Sequence, residues 1–348
     1  MAERIAVTTP EGSYDIVIEP GLLAQTDRLI TEFGLGGRVA VTTNPTIGPL
    51  HGARLAASLP DAALVMIPDG EAYKTLATVS QLYTDFVGAR LDRSSTVLAL
   101  GGGVVGDTAG FAAATYMRGV RLVQVPTSLL SMVDSSVGGK VGVDLPEGKN
   151  LVGAFKQPDV VLIDPTVLQS LPAQEWRNGM AEILKHGLLA DPLLLEPVLH
   201  QPQRAAELVR RAVQVKVDVV EQDPYEQGVR AHLNLGHTFA HAVEQVTHYQ
   251  WPHGEAVGFG LLAAAQLSYA LALCDSDLPE MVEDLLVVTG LPRRLNGLDA
   301  EAIYAAMATD KKWKNGRSRF ILMGGVGQPR IVEDVPRSAV MDVLRQLQ

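Results

Sequence analysis

The chain has 348 residues, enough for two domains with cores of their own, and its 47% hydrophobic and 20% charged residues are an ordinary globular composition. A formal net charge of −10 excludes a broad cationic surface for nucleic acid or an anionic membrane, so a phosphorylated ligand would need a local cationic pocket. Cys274, the single cysteine, leaves no intrachain disulfide and fits a buried structural thiol in the reducing cytosol, and the N-terminal M-A-E-R-I-A-V lacks the apolar core of a secretion signal.

Short β-branched runs predict strands at 14–19, 38–42, 63–67, 96–100, 121–125 and 160–163. Amphipathic patterns at 45–58, 75–90 and 107–117 predict helices between several of them. That alternation indicates an α/β layer around a mostly parallel sheet. From about residue 175 the texture changes to helices, at 175–189, 204–221, 231–247, 255–274 and 279–289. Strands at 320–323 and 328–332 and a final helix close the pattern. Residues 256–274 carry no charge, but Gln266, Ser268 and the flanking acids Glu255 and Asp275 point to a buried helix rather than a membrane span. No repeat or low-complexity linker interrupts the chain. The expectation is an N-terminal domain over 1–173 and a mainly helical one over 174–348, with a site in the cleft between them.

The strand at 96–100 runs into G-G-G-V-V-G-D, where Gly101, Gly103 and Gly106 satisfy G-x-G-x-x-G. Glycines let the backbone approach a pyrophosphate, and the following helix offers its N-terminal amides to the charge. The motif follows a middle strand rather than the first, and no acid lies about 20 positions on to hold a ribose. D-G-E-A-Y-K over 69–74 offers Glu71 and Lys74 instead. A second polar stretch holds P-T-S at 126–128, V-D-S-S-V-G-G-K at 133–140 and G-K-N at 148–150. A segment folded over a phosphate and a solvated hairpin would share that composition, and both readings stand.

The richest chemistry lies further on. His237, His241, Glu244, His253 and Glu255 fall in one short run, and M-A-E-I-L-K-H-G upstream adds Glu182, Lys185 and His186. Imidazoles with carboxylates suit a zinc-type divalent ion. A helix over 234–244 would put His237 and His241, four apart, on one face. The pattern is not H-E-x-x-H, which argues against a metalloprotease. Some of these histidines could equally be hydrogen-bonded core residues. Cations recur nearby, at Lys185, Lys216, Arg230 and the pair Lys311 and Lys312.

From Asp69 to about Gly327 the chain resembles the 3-dehydroquinate synthase family of sugar phosphate cyclases. D-G-E-A-Y-K, G-G-G-V-V-G-D-T-A-G-F, V-D-S-S-V-G-G-K, G-K-N-L-V-G-A-F, M-A-E-I-L-K-H-G, L-N-L-G-H-T-F-A-H-A-V-E, H-G-E-A-V and D-K-K occur in the family's order. The resemblance implies a Rossmann-like α/β nucleotide-binding domain joined to a helical one, in a cytoplasmic homodimer. It implies metal ligands at Glu182, His237 and His253, with a zinc or cobalt ion, which moves His241 from the ion to the substrate. NAD contacts would fall at Asn44, Asp69, Gly70, Glu71, Lys74, Gly102, Gly103, Val104, Val105, Gly106, Asp107, Thr127, Ser128, Lys140, Lys149 and Asn150. Contacts to a phosphorylated sugar acid would fall at Asp134, Lys140, Lys185, Lys216, Glu226, Arg230, Asn234, His241 and one of Lys311 and Lys312, Lys312 before Lys311, with Arg118 reaching the neighbouring subunit's site. The departures are Ser128 for a commoner Thr, Val141 and Asp144 after G-G-K, and a shortened stretch before His253. None removes a catalytic group.

The implied reaction converts 3-deoxy-D-arabino-heptulosonate 7-phosphate to 3-dehydroquinate and phosphate, with NAD oxidising a carbinol transiently and being regenerated. A metal- and NAD-dependent polyol dehydrogenase would need fewer cations. A sister cyclase would differ where a carboxylate is held, and a cofactor-binding relic would lack a ligand.

Overall fold

The computed structural model describes residues 2–308 and 318–348. The chain forms two compact units, Met1–Leu171 and Pro172–Gln348.

The first unit is built on strands β1 (Glu3–Thr9), β2 (Gly12–Ile18), β3 (Val39–Thr43), β4 (Ala63–Met66), β5 (Thr96–Gly101), β6 (Arg121–Pro126), β7 (Lys140–Leu145), β8 (Gly148–Phe155) and β9 (Val160–Ile163). Seven form one sheet in the order β1-β2-β9-β6-β5-β3-β4, and β7 with β8 makes a separate hairpin. Only β1 runs antiparallel to its neighbour in the large sheet. Its helices are α1 (Thr26–Glu32), α2 (Ala53–Ser58), α3 (Leu76–Gly88) and α4 (Gly103–Thr115). The central strands read as unbroken apolar runs because both faces are covered. In β5, Val97 and Ala99 pack with Leu82 and Phe86 of α3 and Ala109 of α4. Leu98 and Leu100 point to the opposite face, against Leu29 of α1 and Leu55 of α2.

Each sequence-predicted strand of this half is present within about two residues, the usual uncertainty of such boundaries. Three strands were not expected: β1 and the β7–β8 hairpin. The hairpin hides in a Gly- and Lys-rich sequence, and its backbones lie so close that a Cβ on Gly153 would sit 2.4 Å from the Val141 carbonyl oxygen. The helix expected at 45–58 is a π-type turn over Gly48–Gly52 followed by α2.

The second unit comprises α5 (Ala173–Leu189), α6 (Ala205–Gln222), α7 (His237–Val246), α8 (His253–Ala270), α9 (Asp277–Thr289), α10 (Ala300–Ala308), the antiparallel pair β10 (Arg319–Met323) and β11 (Pro329–Glu333), and α11 (Arg337–Gln346). Helix α8 is apolar nearly all round and buried, as a helix surrounded by others must be. Its Ser268 is fully buried and satisfied, donating to the Ala264 carbonyl and accepting from the Met323 N–H. Among the described residues, no helix is long and apolar enough to cross a membrane.

Two expectations are corrected here. The helix predicted over 231–247 is broken into a 3-10 turn (Val229–Asn234) and α7, which starts only at His237. The break is Gly236, whose φ of 78° is left-handed and therefore suited to glycine. Asn234 thus lies outside the helix that carries His237 and His241. The helix predicted over 255–274 stops at Ala270, and Cys274 beyond it is half-buried rather than buried.

Candidate functional site

Two groups of the sequence-predicted residues come together, one in each unit. In the first unit, β3 connects outward to β4 while β5 connects in the other direction to β6. Open α/β sheets bind ligands at the carboxyl ends of strands beside such a reversal. Asn44 follows β3 directly, and Gly102 to Asp107 follow β5. The Asn44 side chain donates to Asp69 (2.8 Å) and accepts from the Ile47 N–H (2.8 Å), and Thr46 donates to the same carboxylate (2.5 Å).

Lys74 is buried beside this loop, its ammonium 2.6 Å from Asp107 and 2.7 Å from the Asn150 side-chain oxygen. Burial would lower the Lys74 pKa, but Asp107 and then Glu71 outweigh it and hold it above its ordinary value. Lys149 lies 3.4 Å from Glu71. Asn150 is left-handed (φ 53°), and its N–H donates to Asp144. Gly106 is pressed on Gln124, where a Cβ would come within 2.8 Å of the amide oxygen. Gly70 has a φ of 104°. Val104 is half-buried and Val105 buried. Thr127 is buried with its N–H on the Gly101 carbonyl, and Ser128 shares a hydroxyl contact of 2.9 Å with Ser131. Lys140 is exposed at the start of β7, Asp134 is half-buried in the turn Ser131–Ser135, and Arg118 is exposed with a φ of 68°.

In the second unit, Glu182 on α5, His237 at the start of α7 and His253 at the start of α8 converge, with one donor atom from each within 4.8 Å of the others. Glu182 Oε1 is 3.6 Å from His237 Nε2 and 3.4 Å from His253 Nε2. Donors held about 2 Å from one tetrahedral ion lie about 3.3 Å apart, so this spacing fits a single cation. Three protein ligands among the described residues is the number that catalytic rather than structural sites of this kind use. His237 Nδ1 meets the Leu235 carbonyl at 3.1 Å, which assigns the ring proton to Nδ1 and turns the Nε2 lone pair inward. Both oxygens of Glu182 are buried; Oε1 faces the two imidazoles, and Oε2 forms an ion pair with Lys185, one turn on.

The electrostatics match that donor set. Burial would raise the Glu182 carboxyl, but Lys185, with His253 and His237, holds it well below the ordinary range. Burial pushes the His237 imidazole well below its usual value, against the pull of Glu182. His253 moves the other way, because Glu182 and Glu244 overcome burial and raise it to about 10. An anionic carboxylate and a neutral imidazole are ligand forms, and a proton on His253 is what a metal would displace.

Three glycine contacts set these distances. A Cβ on Gly254 would sit 2.2 Å from the Asn178 carbonyl oxygen, which places α8 directly on α5. A Cβ on Gly260 would sit 2.2 Å from the Gly236 carbonyl oxygen, and one on Gly236 would sit 2.8 Å from the Leu261 nitrogen. Helices α7 and α8 therefore meet backbone to backbone, which brings His237 and His253 within reach of one another.

The other predicted residues surround this group unevenly. The His241 ring is exposed and its centroid lies 5.5 Å from that of His237. Lys216 and Arg230 are buried, whereas Glu226 is exposed and left-handed, accepting from the Asn234 amide at 2.8 Å. Lys311 and Lys312 lie outside the described residues. Sequence reasoning passed over Asp223, and it counted Glu244 in the metal-suited run without giving it a place of its own. Asp223 accepts the N–H groups of Gln227, Gly228 and Arg230, ordering the loop that carries Glu226. Glu244 lies 3.4 Å from His253 Nδ1. Its spacing of seven from His237, two helical turns, was the available signal.

Family models described as 3-dehydroquinate synthase N-terminal and 3-dehydroquinate synthase C-terminal match residues 64–178 and 179–313. The chain belongs to the 3-dehydroquinate synthase family. It is 44% identical to the 3-dehydroquinate synthase of Synechococcus sp., over 100% of this chain and 99% of that one. The family member of Nostoc punctiforme is also 44% identical, with 99% of each chain covered. Among solved structures, 2-epi-5-epi-valiolone synthase of Streptomyces hygroscopicus, with NAD+ and Zn2+ bound, matches with a TM-score of 0.88 and 31% identity, covering 97% of this chain and 98% of that one. A 2-deoxy-scyllo-inosose synthase shares the fold, with a TM-score of 0.90 at 24% identity over 99% of this chain and 100% of that one.

Proposed function

We propose that this chain is a 3-dehydroquinate synthase, a lyase that converts 3-deoxy-D-arabino-heptulosonate 7-phosphate to 3-dehydroquinate and phosphate. The observation that carries this reading is full-length likeness to synthases of that name, at 42–44% identity, in a chain whose Glu182, His237 and His253 are spaced for one divalent cation. Zinc or cobalt, with NAD, is the cofactor set the reading requires. Bound NAD would accept and return a hydride at C5, and the cation would stabilise negative charge on the oxygen being oxidised.

The chain's own residues supply binding, orientation and charge. Gly102 and Gly103 would let the backbone approach closely, Gly106 lets α4 pack on Gln124 of β6, and α4 would present its N-terminal amides to the pyrophosphate. Asp107 and Asn150 hold the Lys74 ammonium in place beside that loop, with Glu71 and Lys149 adjacent. Lys185, Lys216, Arg230, Lys140 and Lys312 would neutralise the substrate's phosphate and carboxylate, the local cationic set that a chain of net charge −10 needs to hold such a substrate. Asn234, His241, Glu226 and Asp134 would orient the hydroxyls. Oxidation at C5 would acidify the neighbouring C6 proton, which an oxygen of the departing phosphate would accept as the C7–O bond breaks, and return of the hydride, ring opening and aldol closure would follow. A cytoplasmic homodimer, with Arg118 reaching the neighbouring site, completes the proposal.

The test is phosphate release from the heptulosonate with NAD and a divalent metal, followed alongside NADH absorbance. Phosphate without NADH accumulation, abolished by a chelator and restored by zinc or cobalt, is the expected result. Steady NADH production from a simple polyol would replace the reading with a dehydrogenase. A second reading, a sister cyclase acting on another sugar phosphate, draws on the 31% likeness to the valiolone synthase, and phosphate release from a sugar phosphate that lacks the carboxylate, with none from the heptulosonate, would favour it.

A further inference from the structure

We infer that Glu244 is a positioning residue for the metal site, fixing the tautomer and the aim of His253 from the side away from the ion. This rests on the reading of Glu182, His237 and His253 as the ligand set. The two imidazoles are built alike. Each turns Nε2 toward Glu182 Oε1, at 3.6 Å for His237 and 3.4 Å for His253. Each also has its outer nitrogen engaged, His237 Nδ1 with the Leu235 carbonyl at 3.1 Å and His253 Nδ1 with Glu244 Oε1 at 3.4 Å. A ring held this way keeps its proton on Nδ1 and its lone pair on Nε2, and a carboxylate partner makes the ligand nitrogen more basic.

The position of Glu244 supports that role. It is 2% exposed on α7 beside the buried Val243, a costly place for a carboxylate unless it has a cationic or donor partner. It stands two turns beyond His237 on the same helix, so α7 delivers one ligand and orients the other. His253 is the first residue of α8, and its side chain is 34% exposed. An anchoring contact at Nδ1 is what such a ligand lacks from its own helix.

The test compares wild type, Glu244→Gln, Glu244→Ala and His253→Ala, each first stripped of metal. Metal affinity is read by chelator competition with Zn2+, and ligand geometry by the visible spectrum of the Co2+ form. Metal-free thermal melting shows whether each variant folds. Glu244→Gln keeps an acceptor for Nδ1–H but loses the charge, so it should bind Zn2+ about 10-fold more weakly, and Glu244→Ala up to about 100-fold, with an altered Co2+ spectrum. A purely structural role would lower the melting temperature and leave the Co2+ spectrum of the folded variant unchanged, which would overturn the inference. Wild-type affinity in both Glu244 variants, with His253→Ala stripped of metal, overturns it while the ligand assignment stands. Wild-type affinity in His253→Ala overturns the assignment and the inference together.

Discussion

Replacing Gly260 by alanine sets two physical effects of opposite sign against each other. In an open helix interior, alanine is favoured over glycine by about 1 kcal/mol. At Gly260 the new Cβ would lie 2.2 Å from the Gly236 carbonyl oxygen and 2.9 Å from its carbon. Ordinary carbon–oxygen contact needs about 3.3 Å, so α7 and α8 must separate by about 1 Å. Both obstacles are backbone and cannot rotate aside, which puts the overpacking cost near about 3 kcal/mol. The net expectation is a loss of about 2 kcal/mol, or a fall of about 4–8 °C in melting temperature. The same displacement moves His237 from His253 by several times the roughly 0.2 Å that metal–ligand distances tolerate, so Zn2+ affinity should fall at least about tenfold. Gly88 ends α3 with open space where its Cβ would lie, so Gly88→Ala is the control and should stabilise by about 0.4–1 kcal/mol. Calorimetry with and without zinc measures both effects. A Gly260→Ala protein at least as stable as wild type, with zinc affinity intact, would refute the claim that this contact sets the ligand spacing.

Lys74→Met should destabilise the protein by about 3 kcal/mol, since it removes a buried ammonium that bonds both Asp107 and Asn150. Because the folded state raises the Lys74 pKa, its contribution is fully present below the ordinary value of 10.5 and is lost as pH rises through the folded value. Urea midpoints of wild type and variant should therefore differ by a constant amount from pH 6 to 9 and converge only above that value; convergence near neutrality would contradict the assignment. Asp223→Asn should loosen the loop before Arg230 and raise KM several-fold while metal content stays unchanged. Burial opposes ionisation of Asp223, but three backbone N–H groups and Arg230 hold its pKa below 3.8. The stability it adds is present above 3.8 and lost as pH falls through the folded value, so acid titration of stability should separate wild type from variant only above that window.

The sequence alone determined the layered organisation and the chemical vocabulary. β-Branched runs such as 121–125 and 160–163 are strands because parallel sheets bury both faces, and that demand is written locally. G-G-G-V-V-G-D after such a run places a glycine turn before a helix, again through neighbouring residues. The same locality misled at 231–247, where continuous helical periodicity conceals the left-handed Gly236. It also drew attention to His237 with His241, four apart, where residue spacing alone could not choose the donor set and only family likeness pointed to Glu182 and His253. Tertiary structure brought those two to His237 from α5 and α8, placed Glu244 behind a ring, and joined α7 to α8 through Gly236 and Gly260. Periodicity reports which face of one helix is buried. Convergence on a point depends on how closely separate backbones approach, and that distance is set by side chains that are absent.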